Sequence, residues 1–218
     1  MDEELLPAAV RAAAGDRQGG ATEVAARALD GLLEVAGDPR RLEAAVAALL
    51  AGQPAMAPIW HLARAAGDPD PRAALAGLRA RQDTDGAAAT DAAAAWLRPR
   101  LAGGGRGAVA TVSHSSLVDR VLASLAPGAA GEAHHLVGLV GADAIGPDAF
   151  LNAAGTGELA ARLPTLVVAT ALKLLPAEPF GRLAGPGFEV VPLHAVAAVV
   201  VGPEVLSPTD AGGLAALA

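Results

Sequence analysis

The stretch LVGADAIGPDAFLNAAGTGELA runs from Leu139 to Ala160. It opens on an apolar run, reaches Gly141-Ala142-Asp143, crosses a loop and arrives at Asn152 and Gly155-Thr156. Valine and leucine without polar alternation read as a strand buried on both faces, the habit of parallel sheets. In an open α/β sheet, ligands bind in the crevice beyond the carboxyl ends of the strands. A carboxylate at such an end has two readings. Asp143 is either a ligand-site group, moving a proton or gripping a hydroxyl, or a loop aspartate that caps the next segment.

On either side of this stretch the pattern repeats. GAVATVSHSSLVDRVLASLAPG reads as a short strand, a polar loop and an amphipathic helix. HHLVGLVGADAI, PTLVVATAL, GFEVVP and HAVAAVVVG read as further strands. Buried strands alternating with helices predict a parallel sheet covered on both faces. The connection around LAPGAAGEA is short for a crossover that carries its own strand.

The first half is helical. GATEVAARALDGLLEVAG places Val24, Ala28, Leu32 and Val35 on one stripe, with Thr22 or Asp16 as the N-cap and Gly37 at the end. DPRRLEAAVAALLAG repeats the form with an Asp cap and a first-turn proline. PAMAPIWHLARAAG, DPRAALAGLRARQ and DGAAATDAAAAWLRPR read as three more helices. Prolines and glycines cluster in RPRLAGGGRG, which marks a boundary. The expected organisation is a helical N-terminal region, 1–104, followed by a Rossmann-like α/β domain, 105–218.

Composition narrows the function classes. Formal net charge is −7 and cysteine is absent. The first argues against nucleic-acid and anionic-membrane surfaces. The second rules out disulfides, thiolate metal sites and a cysteine nucleophile. No apolar run reaches the ~18 residues of a membrane span, and the acidic start MDEELLPAAV is unlike a signal peptide. A cytoplasmic protein is expected. Adjacent His134 and His135 would point to opposite faces of a strand, so no metal site is read there. GGGRG lacks the preceding strand and Lys-Ser/Thr ending of a P-loop. No cofactor is called for. Trp60 and Trp96 read as packing residues.

Among 16 basic residues there is one lysine, Lys173. A compact ammonium suits a place beside a carboxylate or phosphate where a planar guanidinium does not fit; the alternative is a surface lysine without a role. Gly155-Thr156 opens a helix. Its amides and the Thr156 hydroxyl either hold phosphate or form an ordinary helix start. Ser113, His114, Ser115 and Ser116 similarly form either an anion-binding turn or a plain serine cap.

Taken together, these motifs resemble the superfamily of translation initiation factor 2B alpha/beta/delta subunits, methylthioribose-1-phosphate isomerase and ribose-1,5-bisphosphate isomerase. Gly141-Ala142-Asp143 followed by Asn152, Gly155 and Thr156 is similar to its Gly-Ala-Asp and Asn-Lys-x-Gly-Thr signature, with Ala153 at the lysine. PTLVVATALKLLP resembles the strand ending in Ser-x-Lys-Phe-x-Pro, with Lys173 at its lysine. FEVVPLHAVAAVVVGPEVLSP resembles the closing segment, which begins Phe-Asp-x-x-Pro. VATVSHSSLVDRVL resembles the Thr-His-Ser loop. QGGATEVAARALDGL and QPAMAPIWHLARA resemble the N-terminal signatures. The likeness spans roughly 16–208.

The resemblance implies a sugar-phosphate or nucleotide site. Asp143 and Ser113 would stand at the catalytic positions. Lys173, Asn152, Gly155, Thr156, His114, Gly20 and Ala21 would bind substrate, in a homodimer. The departures imply reduced chemistry. Ser113 replaces the isomerases' cysteine, and a hydroxyl is a far poorer acid or nucleophile than a thiol. The Arg-Gly-Ala phosphate turn reads Gln18-Gly19-Gly20-Ala21, with Arg17 one position from substituting. One family strand is missing, and the helix after Thr156 is cut short by Pro164. The leading expectation is a trimmed, non-catalytic or weakly active binder. The alternatives are an aldose-phosphate isomerase using Ser113, and an interaction subunit without ligand.

Overall fold

A computed structural model describes residues 6–101, 105–112, 115–125, 136–183, 185 and 187–218. Five helices come first: α1 (Ala8–Gly15), α2 (Ala21–Val35), α3 (Pro39–Gly52), α4 (Ala57–Ala66) and α5 (Pro71–Leu97). Alternating strands and helices follow: β1 (Val109–Thr111), α6 (Ser116–Ser124), β2 (Val137–Val140), β3 (Ala144–Ile145), β4 (Ala149–Ala153), α7 (Thr156–Arg162) and β5 (Thr165–Ala169). The chain closes with α8 (Ala177–Phe180), β6 (Phe188–Pro192), β7 (Ala198–Val201), β8 (Glu204–Leu206) and α9 (Pro208–Ala216).

The main sheet has the order β1-β2-β5-β7-β8. Its first four strands are parallel, and β8 returns antiparallel after β7. Every residue of β2, β5 and β7 is buried, as an uninterrupted apolar reading requires. The expected α/β architecture holds: helices first, then a mostly parallel sheet. A second, antiparallel sheet of order β3-β4-β6 was not expected. AFLNA, read as loop, is the five-residue β4, and GFEVVP supplies β6 to this small sheet rather than to the parallel one. Only Val191 of β6 is buried, a pattern that a central parallel strand would not show.

Two readings in the helical region are corrected. Asp38 caps α3 by accepting from the amides of Arg40 and Arg41, as expected. However, neither Thr22 nor Asp16 caps α2; the N-cap is Gly20, and no side chain caps this helix. The carboxylate of Asp16 instead accepts from the amides of Gln18 and Gly19 at 2.8 and 2.7 Å. Arg27 pairs with it at 2.7 Å. The second correction is that the segments split at Asp83–Asp85 form one 27-residue helix, α5. Asp-Gly is a turn signal, but tertiary packing overrides it here. Gln82 is buried and donates to the Thr22 carbonyl. A Cβ at Gly86 would stand 2.9 Å from the Arg120 guanidinium of α6, which lies over the helix at this point.

The core crosses the 104/105 division. Ala89, Ala93, Ala94 and Leu97 of α5 pack with Leu139, Leu166, Val168 and Val200 of the sheet. A separate cluster joins α1 to α4 and the start of α5. The long helix thus ties the helical layer to the strands, which fixes α2 over one end of the sheet.

Candidate functional site

β2 ends at Val140, and the chain leaves the sheet through Gly141, Ala142 and Asp143. The Asp143 amide donates to the Leu151 carbonyl at 2.8 Å, and its own carbonyl accepts from the Ala57 amide at 3.0 Å. This backbone is therefore held between β4 and the start of α4, which leaves only the side chain to be directed. Gly141 is required for the approach of α6: a Cβ there would lie 2.8 Å from Ser115 Oγ.

β5, the neighbour of β2, ends at Ala169. A single 3-10 turn, Ala171–Lys173, follows. Lys173 is 2% exposed, which removes the reading of a surface lysine. His61 of α4 pins the next residue, with Nε2–H donating to the Leu174 carbonyl at 2.8 Å. Burial holds the His61 pKa below its usual value, in keeping with a neutral ring acting as donor.

Asp143 and Lys173 line one small, partly open cavity of about 30 Å³ at the carboxyl ends of β2 and β5. Gly20, Ala21 and Thr22 at the start of α2 face it from one side; Ser115 and Ser116 at the start of α6 face it from another. Asn152 of β4 completes the polar wall. Burial raises the pKa of Asp143, and the nearby Lys173 partly offsets this. Burial lowers Lys173 to about 8, again offset by its partner. The two attract each other, yet no direct ion pair or hydrogen bond joins them.

Two helix N-termini thus converge on a buried ammonium. α2 has no side-chain cap, so its first amides remain available to an anion. In α6 Ser115 accepts from the Val118 amide, which leaves the preceding amides facing the cavity.

Behind Thr22 and Ser116, which line both spaces, lies an outer recess of about 270 Å³. Its other walls include Glu23, Gln82, Asp83 and Arg120. The inner cavity alone accommodates little more than a water. Together the two spaces approach the ~300 Å³ lower bound of small-molecule pockets. The sequence gives little sign of Gln82, Asp83 and Arg120, because α5 and α6 bring them in from distant positions.

The structure brings together Asp143, Lys173, Asn152, Gly20 and Ala21. Gly155 and Thr156 stand apart. Gly155 has φ +96° and caps α7, a left-handed conformation that favours glycine. The Thr156 hydroxyl donates to the Ala153 carbonyl at 2.7 Å and accepts from Asn152 Nδ2 at 3.0 Å. The anion position of α7 is filled by Glu189, whose Oε1 accepts from the Gly157 amide at 2.6 Å. Glu189 occupies the acidic position of the Phe-Asp-x-x-Pro pattern, which was the signal for it. Arg17 does not replace the phosphate-turn arginine: its guanidinium donates to the carbonyls of Ala14, Asp16 and Gly52. Ser113, His114, His134 and His135 lie outside the described residues. Among the described residues no group of His, Asp and Glu side chains could hold a metal ion, and no helix is long and apolar enough to cross a membrane.

No protein-family profile and no curated protein sequence matches this chain. Solved structures do. Translation initiation factor eIF-2B of Pyrococcus horikoshii OT3 superposes with a TM-score of 0.69 at 16% identity, over 96% of this chain and 99% of the other. The tetrameric eIF2B-beta2-delta2 complex of C. thermophilum gives 0.60 at 12% identity, over 92% and 90%. The 5-methylthioribose 1-phosphate isomerase of P. horikoshii OT3 gives 0.52 at 15%, over 96% and 87%. The chain has the fold shared by these factors and this isomerase, the one its motifs resembled.

Proposed function

We propose that this chain binds a small phosphorylated ligand, a sugar phosphate or a nucleotide, at the ends of β2 and β5, and turns it over weakly or not at all. The observation that carries this reading is Lys173. A fully buried ammonium is costly, and here it faces a cavity bordered by two helix starts and a carboxylate. The ammonium and helix amides attract a phosphate, while Asp143 and Asn152 present acceptors to hydroxyls. The bound ligand extends past Thr22 and Ser116 into the outer recess, with those two residues moving aside.

Weak turnover follows from composition. The chain has no cysteine, and Ser113 stands where the resemblance places the thiol. Assembly as a homodimer is part of the proposal. It is supported by the exposed apolar side chains Val190, Val205, Leu214 and Leu217 and by the tetrameric state of one fold relative.

Thermal shift with ribose phosphates, methylthioribose-1-phosphate and nucleotides tests the site. A ligand at a hundredfold excess over Kd stabilises by about 2.7 kcal/mol. The expected result is a shift that disappears in Asp143→Ala. No shift with any of these compounds overturns the reading and favours a ligand-free interaction subunit.

A further inference from the structure

We propose that Lys173 is a nucleophile that captures the open-chain aldehyde of an aldose phosphate as a reversible imine, with Asp143 moving the protons. This rests on the binding reading above, with the ammonium drawing the ligand in, the helix amides holding its phosphate and the neutral amine meeting its carbonyl, and it names the substrate class: a phosphorylated sugar with a free carbonyl.

The geometry supplies the parts. Lys173 is 2% exposed and lines a small, partly open cavity, so its amine meets only what enters there. Asp143 lines the same cavity and forms no ion pair or hydrogen bond with the amine. The helix starts at Gly20–Thr22 and Ser115–Ser116 provide a phosphate anchor on the cavity wall. Burial supports the chemistry by lowering Lys173 to about 8 and raising Asp143. An appreciable fraction of the amine is then neutral, and the carboxyl holds its proton more readily than an exposed carboxyl does.

The step balances without a further reactant. The Lys173 Nζ lone pair forms the C–N bond to the aldehyde carbon, and the carbonyl π pair goes to oxygen. That oxygen takes the Asp143 proton, while the ammonium nitrogen returns a proton to the carboxylate. Asp143 then protonates the carbinolamine hydroxyl, which leaves as water as the nitrogen lone pair forms C=N. Hydrolysis reverses each step, and no redox change occurs.

The test is reductive trapping of the full chain with ribose 5-phosphate and cyanoborohydride, followed by intact mass and peptide mapping. A single lysine makes the readout unambiguous. The expected result is one adduct at Lys173, formed about a hundredfold faster than on urea-unfolded protein and slowed to a similar degree in Asp143→Asn. Inorganic phosphate suppresses it. Ribose 1-phosphate, whose anomeric carbon is blocked, protects Lys173 and gives no adduct. An adduct confined to the terminal amine, or formed equally fast on unfolded chain, overturns the covalent step. A thermal shift by ribose 5-phosphate in that same sample then leaves the binding reading standing. Neither adduct nor shift removes both.

Discussion

Asp143 and Lys173 reach one cavity because β2 and β5 are parallel neighbours, with Val140 opposite Val167 in register. Lys173 is buried and Asp143 half-buried just past their strand ends, and neither forms a direct bond to the other. A pair held this way costs stability. Replacing a buried ion pair with groups of similar size is often neutral or stabilising by ~1–4 kcal/mol. Asp143→Asn combined with Lys173→Met is therefore expected to raise Tm by several degrees, at ~2–4 °C per kcal/mol for a chain of this size, and to abolish ligand binding. Lys173→Met alone leaves the carboxylate without its cation. That variant is expected to lose stability as pH rises above 3.8, the ordinary carboxylate value, because a carboxyl with a raised pKa contributes stability that is lost as pH climbs toward its folded-state value. Calorimetry across that range checks both; a double variant less stable than the wild type contradicts the account.

Affinity and stability are expected to move in opposite directions above neutrality. Lys173 sits at about 8 against an ordinary 10.5. Between those values the unfolded chain holds a proton that the folded chain lacks, so the contribution of this group to stability rises with pH. The same deprotonation removes the ammonium that attracts phosphate. A phosphate monoester is already largely dianionic above pH 7, so its own charge barely changes. The thermal shift produced by a fixed ribose phosphate concentration should shrink as pH passes about 8, while the ligand-free protein does not lose stability through Lys173. A shift that is flat from pH 7 to 10 would remove Lys173 from the anion site.

Gly141 tests the geometry of the wall. A methyl group there would meet Ser115 Oγ at 2.8 Å and its Cβ at 3.1 Å. Ser115 is a short side chain at the start of α6, so relief requires the helix to move. Gly141→Ala is expected to cost about 1–3 kcal/mol, the usual range for overpacking, and to lose the ligand-dependent shift beyond what destabilisation explains. Denaturant unfolding gives the first value, and titration of the still-folded variant gives the second.

The sheet was legible because its strands are buried on both faces, and uninterrupted apolar runs such as Leu166 to Ala169 mark that state directly. Its small antiparallel companion was not. AFLNA carries one polar residue in five, and Asn152 reads as loop chemistry until its amide is seen bonding Thr156. The single helix α5 was hidden for a related reason: Asp85-Gly86 signals a turn locally, and the tertiary packing that overrides it, such as buried Gln82 on the Thr22 carbonyl, comes from distant residues. Motif order singled out Asp143 and Lys173, which line one cavity, and by the same logic Gly155-Thr156, which does not line it. Nothing local to that turn shows that Glu189, from β6, has already taken the amide.

That substitution of one anion for another carries a prediction. Glu189 accepts from the Gly157 amide at the first turn of α7, where a carboxylate is stabilising. Glu189→Ala leaves that amide to water and is expected to cost about 1 kcal/mol, the loss of an ordinary N-terminal cap. Glu189→Gln keeps an acceptor but loses the charge, and should cost less. Neither Gly157 nor Glu189 lines the Asp143–Lys173 cavity, so neither variant should change the ligand-dependent shift in Tm while the Asn152–Thr156 bond that ties α7 to the cavity wall is kept. If Glu189→Ala instead strengthens the response to ribose phosphates, the vacated helix start is competing for the phosphate and the ligand has been placed at the wrong helix. If it weakens the response with stability little changed, the ligand spans from Lys173 to α7. Parallel titrations of wild type and both variants separate these outcomes.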